Sequence, residues 1–197
     1  MLSEDKFFEK SDSFSIYPDT NNNFYTFDEL IKNIEKSQTD KDGKTIILYA
    51  SNIDEQDSYI KAAESKGYKV LLLDSPIVPH LIQKLESKKE NISFARVDSN
   101  SIDNLIKKED NIISKLNDKE KDKLKNYIEA VIPKEKYTIQ LEALDSKELP
   151  FIITQPEFMR RMKDMQQSGG NNMFGSMPEI HNVCLLYTSD AADDIGR

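Results

Sequence analysis

The chain has 197 residues, of which 38% are apolar and 31% charged, enough for one domain and part of another. Its net charge is −8, with Lys and Arg interleaved among Asp and Glu, so no basic face for nucleic acid is expected. Because no apolar run approaches the roughly 18 residues of a membrane span and residues 1–6 lack the features of a secretion signal, we expect a cytoplasmic protein that binds no membrane.

The first well-defined helix is predicted to begin at a capping box. Thr26 and Glu29 stand three residues apart, so the hydroxyl and the carboxylate can each accept a hydrogen bond from a backbone N–H of the first turn. Leu30, Ile31 and Ile34 follow at helical spacing. They are predicted to form the apolar side of this helix.

Residues 45–97 alternate between apolar segments of strand length and amphipathic segments of helix length. The predicted strands are 45–49, 68–73 and 92–97, and the predicted helices are 54–66 and 77–88. Strands that are apolar throughout and alternate with helices are typical of a parallel sheet that helices cover on both faces. The predicted fold class is therefore α/β, with a small three-layer α/β/α domain built on a parallel sheet.

The pattern changes near residue 115. A helix is predicted over 118–131, followed by a strand over 137–144 in which apolar and polar residues alternate. Residues 149–154 are expected to pair with that strand as a hairpin. The predicted organisation is a first domain over 1–115 and an incomplete α+β dimerisation domain over 116–183.

Residues 184–197 do not continue this pattern. The run from Cys184 to Asp193 resembles a translated sequencing adapter, so we expect 184–197 to be an artefact outside the fold. A natural short strand followed by a polar tail is the alternative. Cys184 is the only cysteine, so no internal disulfide and no cysteine-based metal site is expected.

Residues that could carry catalysis are sparse. The glycines form no phosphate-binding loop, and no serine has a plausible His and Asp partner set. Asp54, Glu55 and Asp57 could bind a metal, but carboxylates are also favoured in the first turn of a helix. No catalytic, cofactor-binding or metal-binding residue is therefore predicted. The alternative is a stand-alone α/β domain that binds a nucleotide or a phosphoryl group near Asn52 and Asp74.

A methionine-rich helix is predicted from Thr154 to Gln167, with Pro156 in its first turn. Arg160 and Arg161 are expected on its polar, outer surface. Flexible methionines suit the binding of varied partners, whereas an apolar stripe at helical spacing is more often buried in a core or a dimer seam. The apolar residues of the helix and of the loop after it are called the methionine surface: Phe158, Met159, Met162, Met165, Met173 and Phe174.

Several segments, in order along the chain, resemble one protein family. Four segments resemble the last part of the middle domain of the bacterial heat shock protein 90 chaperones, the HtpG type. They are FYTFDE (24–29), KTIILYA (44–50), DEQ (54–56) and KGYKVLLLD (66–74). Two later segments resemble the beginning of the C-terminal dimerisation domain of that family. They are ITQPEFMRRMKDM (153–165) and MPE (177–179). The resemblance extends to about Asn182, so the chain is similar to a fragment of this family.

The resemblance implies an ATP-dependent stress-response chaperone that binds unfolded or partly folded client proteins. In that family ATP and magnesium are bound in an N-terminal domain, and a middle-domain arginine completes the site. Both would lie upstream of Met1, so no cofactor and no ATPase activity are expected of this chain alone.

The resemblance also assigns the methionine surface to client contact, which implies that it is at least partly exposed. A purely structural linker between domains is a third possibility. The full-length protein is expected to be a homodimer. The helices of the dimer seam would follow residue 183, so this chain alone is expected to be a monomer.

Overall fold

The computed structural model describes residues 5–107, 117–133, 136–143, 151–169 and 180–187. The helices in these ranges are α1 (Asp5–Asp12), α2 (Phe27–Ile34), α3 (Asp57–Ser65), α4 (Val78–Lys88), α5 (Ile102–Leu105), α6 (Asp118–Glu129) and α7 (Glu157–Gly169). The strands are β1 (Tyr17–Pro18), β2 (Phe24–Tyr25), β3 (Thr45–Ala50), β4 (Val70–Leu72), β5 (Ile92–Arg96), β6 (Tyr137–Ala143), β7 (Phe151–Thr154) and β8 (His181–Tyr187).

A parallel sheet forms the centre of the first half of the chain, in the order β4-β3-β5. The central strand β3 pairs in parallel with β4 on one side and with β5 on the other. All six residues of β3 are buried, which explains why this segment is apolar along its whole length. The predicted α/β class with a parallel sheet is confirmed.

Apolar clusters lie on both faces of this sheet because side chains alternate along each strand. Ile47 and Tyr49 of β3 belong to one cluster, which includes residues of α1, α2 and α4. Ile46 and Leu48 belong to the other, which includes residues of α3 and α5. Helices therefore contribute to the core from both faces of the sheet.

The ends of two helices illustrate the local rules. The Thr26 hydroxyl accepts a hydrogen bond from the Glu29 backbone N–H at 3.4 Å, and the Glu29 carboxylate accepts one from the Thr26 N–H at 2.9 Å, so the predicted capping box is confirmed. Helix α3 begins at Asp57 rather than at residue 54. The reason is a turn in which the Asn52 side chain accepts from the N–H groups of Asp54 and Glu55.

Asp19 joins the β1–β2 hairpin to the parallel sheet. Its side chain is almost fully buried and accepts hydrogen bonds from the backbone N–H groups of Asn21 and Asn23, both at 2.9 Å. It also accepts from the Tyr25 hydroxyl at 3.2 Å and from the Lys69 ammonium at 3.3 Å. The Asn23 side-chain amide donates to it as well, at 3.0 and 3.2 Å. One buried carboxylate thus satisfies five donors from two separate parts of the chain, residues 21–25 and Lys69.

The second sheet has the order β6-β8-β7, so the predicted hairpin between residues 137–144 and 149–154 is wrong. Strand β8 lies between the two strands, parallel to β6 and antiparallel to β7. Val183, Cys184 and Leu185 of β8 are all buried. An apolar strand of this kind takes the central position, where both of its edges and both of its faces are covered.

The structure gives Cys184–Tyr187 a place in β8. Cys184 and Leu185 pair with both neighbouring strands, and Leu186 and Tyr187 pair with β6. A strand at these four residues is what the alternative, a natural short strand followed by a polar tail, predicted. Residues 188–197, the rest of the predicted artefact, lie outside the described residues. The predicted domain boundary at 115–116 also lies outside them. The adapter origin and the domain boundaries stay predictions.

No helix in the described ranges combines the length and the apolar composition that crossing a membrane requires.

Replacing Asp19 with Ala should lower the free energy of unfolding by about 3 kcal/mol, because five donors lose their acceptor, among them a charged ammonium group. Urea denaturation followed by circular dichroism measures the change. Asp42→Ala, at an exposed loop position, is the control and should change stability by less than about 0.5 kcal/mol. Equal effects of the two substitutions would contradict the role assigned to Asp19.

Candidate functional site

Helix α7 is fixed to the parallel sheet by the segment that leads into it. The Tyr59 hydroxyl donates a hydrogen bond to the Ile153 carbonyl, and the Gln155 N–H donates to the Asp98 carbonyl at 3.1 Å. Pro156 follows, and the Arg160 N–H donates to the Pro156 carbonyl at 3.1 Å. A proline suits the first turn because its nitrogen has no hydrogen to satisfy.

The Arg160 side chain points into the protein, with 3% of the residue exposed. Its guanidinium group donates to the Tyr49 hydroxyl of the central strand β3 and, at 2.6 Å, to the Glu157 carboxylate. The guanidinium carbon lies 5.4 Å from the centre of the Tyr49 ring. The expectation that Arg160 lies on the outer surface of the helix is therefore wrong, because the buried Tyr49 hydroxyl and Glu157 provide partners for it.

Arg161, which was also expected on the outer surface, is partly buried and donates to Glu86 of α4 at 2.8 Å. Its Nε atom donates to Glu157 at 2.7 Å. Glu157 thus lies between two guanidinium groups. Burial raises the pKa of Glu157, but attraction to Arg160 and Arg161 outweighs burial and holds the pKa below its ordinary value.

The methionine surface starts on the opposite, outward side of α7. Phe158 is 70% exposed, while Met159 and Met162 are partly buried. Phe158 and Met162 are one helical turn apart and so lie on the same side of the helix. Met165 lies further along α7, and Met173 and Phe174 fall outside the described residues. The structure brings Phe158, Met159 and Met162 together, and their role in client contact stays a prediction.

A cleft of about 360 Å³ lies beside this network, at the carboxyl ends of the parallel strands. Open α/β sheets often bind ligands at this edge, and Asp74, one of the residues named for a nucleotide or phosphoryl site, lines the cleft. The two arginines in its wall are already paired. Arg96 binds Asp98 at 2.5 and 2.8 Å, and Arg160 binds Glu157, which lowers the attraction that the cleft offers to an anion.

Asp54, Glu55 and Asp57 do not form a metal site. Within the part of the chain that the structure describes, no three or more His, Cys, Asp or Glu side chains are grouped so that they could hold a metal ion.

Comparison with known proteins gives close relatives. The chain is 42% identical over 189 residues to the chaperone protein HtpG of Bacteroides thetaiotaomicron, and 41% identical to those of Porphyromonas gingivalis and Bacteroides fragilis. Each match covers 94% of this chain and 28% of the relative. The chain therefore spans less than a third of the length of these curated relatives. No family model matches the chain.

Replacing Glu157 with Gln should lower the free energy of unfolding at pH 7 by about 2 kcal/mol, because two guanidinium groups lose their counter-charge. The pKa of Glu157 is lowered in the folded state. Its contribution is therefore complete above the ordinary carboxyl pKa and is lost as the pH falls through the lowered value. The difference between wild type and variant should shrink from pH 5 towards pH 3.

Urea titrations at a series of pH values measure this difference. Glu55→Gln, at an exposed position, is the control and should be nearly neutral at every pH. A wild-type advantage over Glu157→Gln that stays constant down to pH 3 would contradict the role of the carboxylate.

Proposed function

Because the chain belongs to the HtpG family of chaperones, we propose that it forms part of an ATP-dependent chaperone that binds unfolded or partly folded client proteins. Its contribution is scaffold, from the end of the middle domain (1–115), and client-contact surface, from the beginning of the C-terminal domain (116–183). The identity of 41–42% over 94% of the chain to proteins named as chaperones supports this proposal.

The observation that carries the client-contact role is the exposure of Phe158, 70%, on a helix whose inner side is held by ion pairs. A large aromatic side chain on a fixed helix can be buried by an incoming apolar segment without reorganisation of the protein. Burial of roughly 100 Å² of apolar area contributes about 2.5 kcal/mol before ordering costs. A few such contacts give weak, reversible binding with little sequence preference, which suits a chaperone that must release its clients.

ATP and magnesium belong to the full-length protein, in regions that correspond to no segment of this chain. The chain alone therefore neither binds nor hydrolyses ATP, and ATP-driven closure acts on the client-contact surface from elsewhere in the protein. The full-length protein is a cytoplasmic homodimer, and this chain alone is a monomer.

The second candidate is a stand-alone α/β domain that binds a nucleotide or a phosphoryl group. The cleft at the strand ends, lined by Asp74, Ser75 and Arg96, is the observation in its favour. The pairing of Arg96 with Asp98 and the identity to chaperones favour the first proposal.

Replacing Phe158 and Met162 with Ser in a full-length protein that carries this segment should weaken suppression of client aggregation about tenfold, because two apolar contacts with a combined net contribution of about 1.4 kcal/mol are removed. Light scattering of a heat-unfolded test protein measures the effect. Phe24→Ser is the matched control, because Phe24 is 65% exposed but lies in β2, away from α7. Unchanged suppression by the double variant would favour a structural linker over client contact.

Adding ATP with magnesium should leave the melting temperature of the 197-residue chain unchanged, because only a ligand that binds the folded state raises it. Differential scanning fluorimetry with and without the nucleotide measures the shift. A rise that depends on nucleotide concentration would support the nucleotide-binding alternative.

A further inference from the structure

Strand β5 lies at one side of the parallel sheet, so one of its two edges has no strand beside it among the described residues. Its inner edge is identified by the Val97 N–H, which donates to the Tyr49 carbonyl of β3 at 3.0 Å. Backbone groups point alternately to the two edges of a strand. The N–H and C=O groups of Phe94 and Arg96 therefore point to the outer edge.

Helix side chains occupy this outer edge where another strand would pair. The Phe94 N–H donates to Glu86 at 2.7 Å, and the Phe94 carbonyl accepts from Arg161 at 2.7 Å. The Arg96 N–H donates to Glu157 at 3.5 Å. An open strand edge can add a strand from another chain, so these three charged side chains replace a neighbouring strand and close the edge.

Arg161 also binds both of the other two side chains. Arg161 donates to both carboxylate oxygens of Glu86, at 2.8 and 3.2 Å, and to Glu157 at 2.7 Å. Their side chains are 23 to 24% exposed, so salt screens them less than it screens surface pairs. Glu86 belongs to α4, whereas Arg161 and Glu157 belong to α7, so Arg161 links the two helices and the strand edge.

The described contacts that dock α7 on the sheet are polar. Among its described side chains, residues 157–163, the only buried one is Arg160, and the large apolar Phe158 faces outward. Among the residues that the structure describes, neither apolar cluster of the parallel sheet includes a residue of α7. A helix held in this way can open locally at a lower free-energy cost than unfolding of the sheet.

We propose that Glu86, Arg161 and Glu157 form a clip that holds α7 reversibly on the edge of β5, so that α7 has a docked and a released position. Release moves Phe158 and Met162 away from the sheet and exposes the backbone of Phe94 and Arg96, while the sheet stays folded. An effect of release on client binding rests on the proposed function. The existence of a docked and a released position of α7 does not depend on that function.

Native-state hydrogen exchange of the 197-residue chain, followed by NMR at pH 7, tests the clip. In Arg161→Met, the amides of Phe94, Arg96 and residues 161–169 should exchange at least tenfold faster than in the wild type. The amides of Ile47 and Leu48 in β3 should keep their rates. Arg161→Lys keeps the charge but not the forked geometry, so it should give an intermediate increase and serves as the conservative rescue.

Two further variants make the test specific. Glu86→Gln should accelerate the same amides, and combining it with Arg161→Met should add little, because both remove one interaction. Lys66→Met removes a partly buried ion pair to Asp103, on the far side of the sheet, and should leave the amides of α7 unchanged.

The proposal is overturned if Arg161→Met leaves exchange in α7 and at Phe94 unchanged, or accelerates it only together with Ile47 and Leu48. The milder Arg161→Lys and Glu86→Gln variants decide the matter if Arg161→Met does not fold. If hydrogen exchange shows release of α7 but Phe158→Ser has no effect on client aggregation, the clip is supported and the client-contact function is rejected.

Discussion

A buried arginine determines where helix α7 lies. Arg160 is enclosed by the protein, its charge is balanced by the Glu157 carboxylate, and it donates a hydrogen bond to the Tyr49 hydroxyl. A buried guanidinium group without such partners would cost several kcal/mol. The docked helix therefore takes the orientation that brings Arg160 to Tyr49, at the carboxyl end of the central strand. Burial raises the pKa of Tyr49, so its hydroxyl stays protonated and can take part in the network.

This constraint connects the fold to the proposed function. Because the charged side of the helix faces inward, the apolar side that begins with Phe158 faces outward. An exposed apolar residue on a globular protein needs no explanation when it is alone. Phe158 and the partly buried Met162, one turn apart on α7, are the residues proposed above for client contact. The ion pairs of Arg161 with Glu86 and Glu157 also close the edge of β5. The same contacts therefore hold the helix and protect the strand edge.

Local patterns predicted the local structure well. The apolar run at 45–50 gave the buried strand, and the spacing of Thr26 and Glu29 gave the capping box. The position of α7 could not be predicted, because Arg160 and Tyr49 are 111 residues apart and an arginine on a helix is usually exposed. The missed order of the second sheet has the same cause. Strand β8 comes last in the chain but lies in the centre, and no spacing between residues 137 and 154 indicates it.

Residual dipolar couplings of the backbone amides report how elements are oriented relative to one another in solution, so they test whether Arg160 holds α7 on the sheet. Couplings from β3, α3 and α4 and from residues 157–163 of α7 should fit a single alignment tensor at pH 7. Couplings from α7 that need a separate or strongly reduced tensor would contradict it, because Arg160 would then not hold the helix on the sheet.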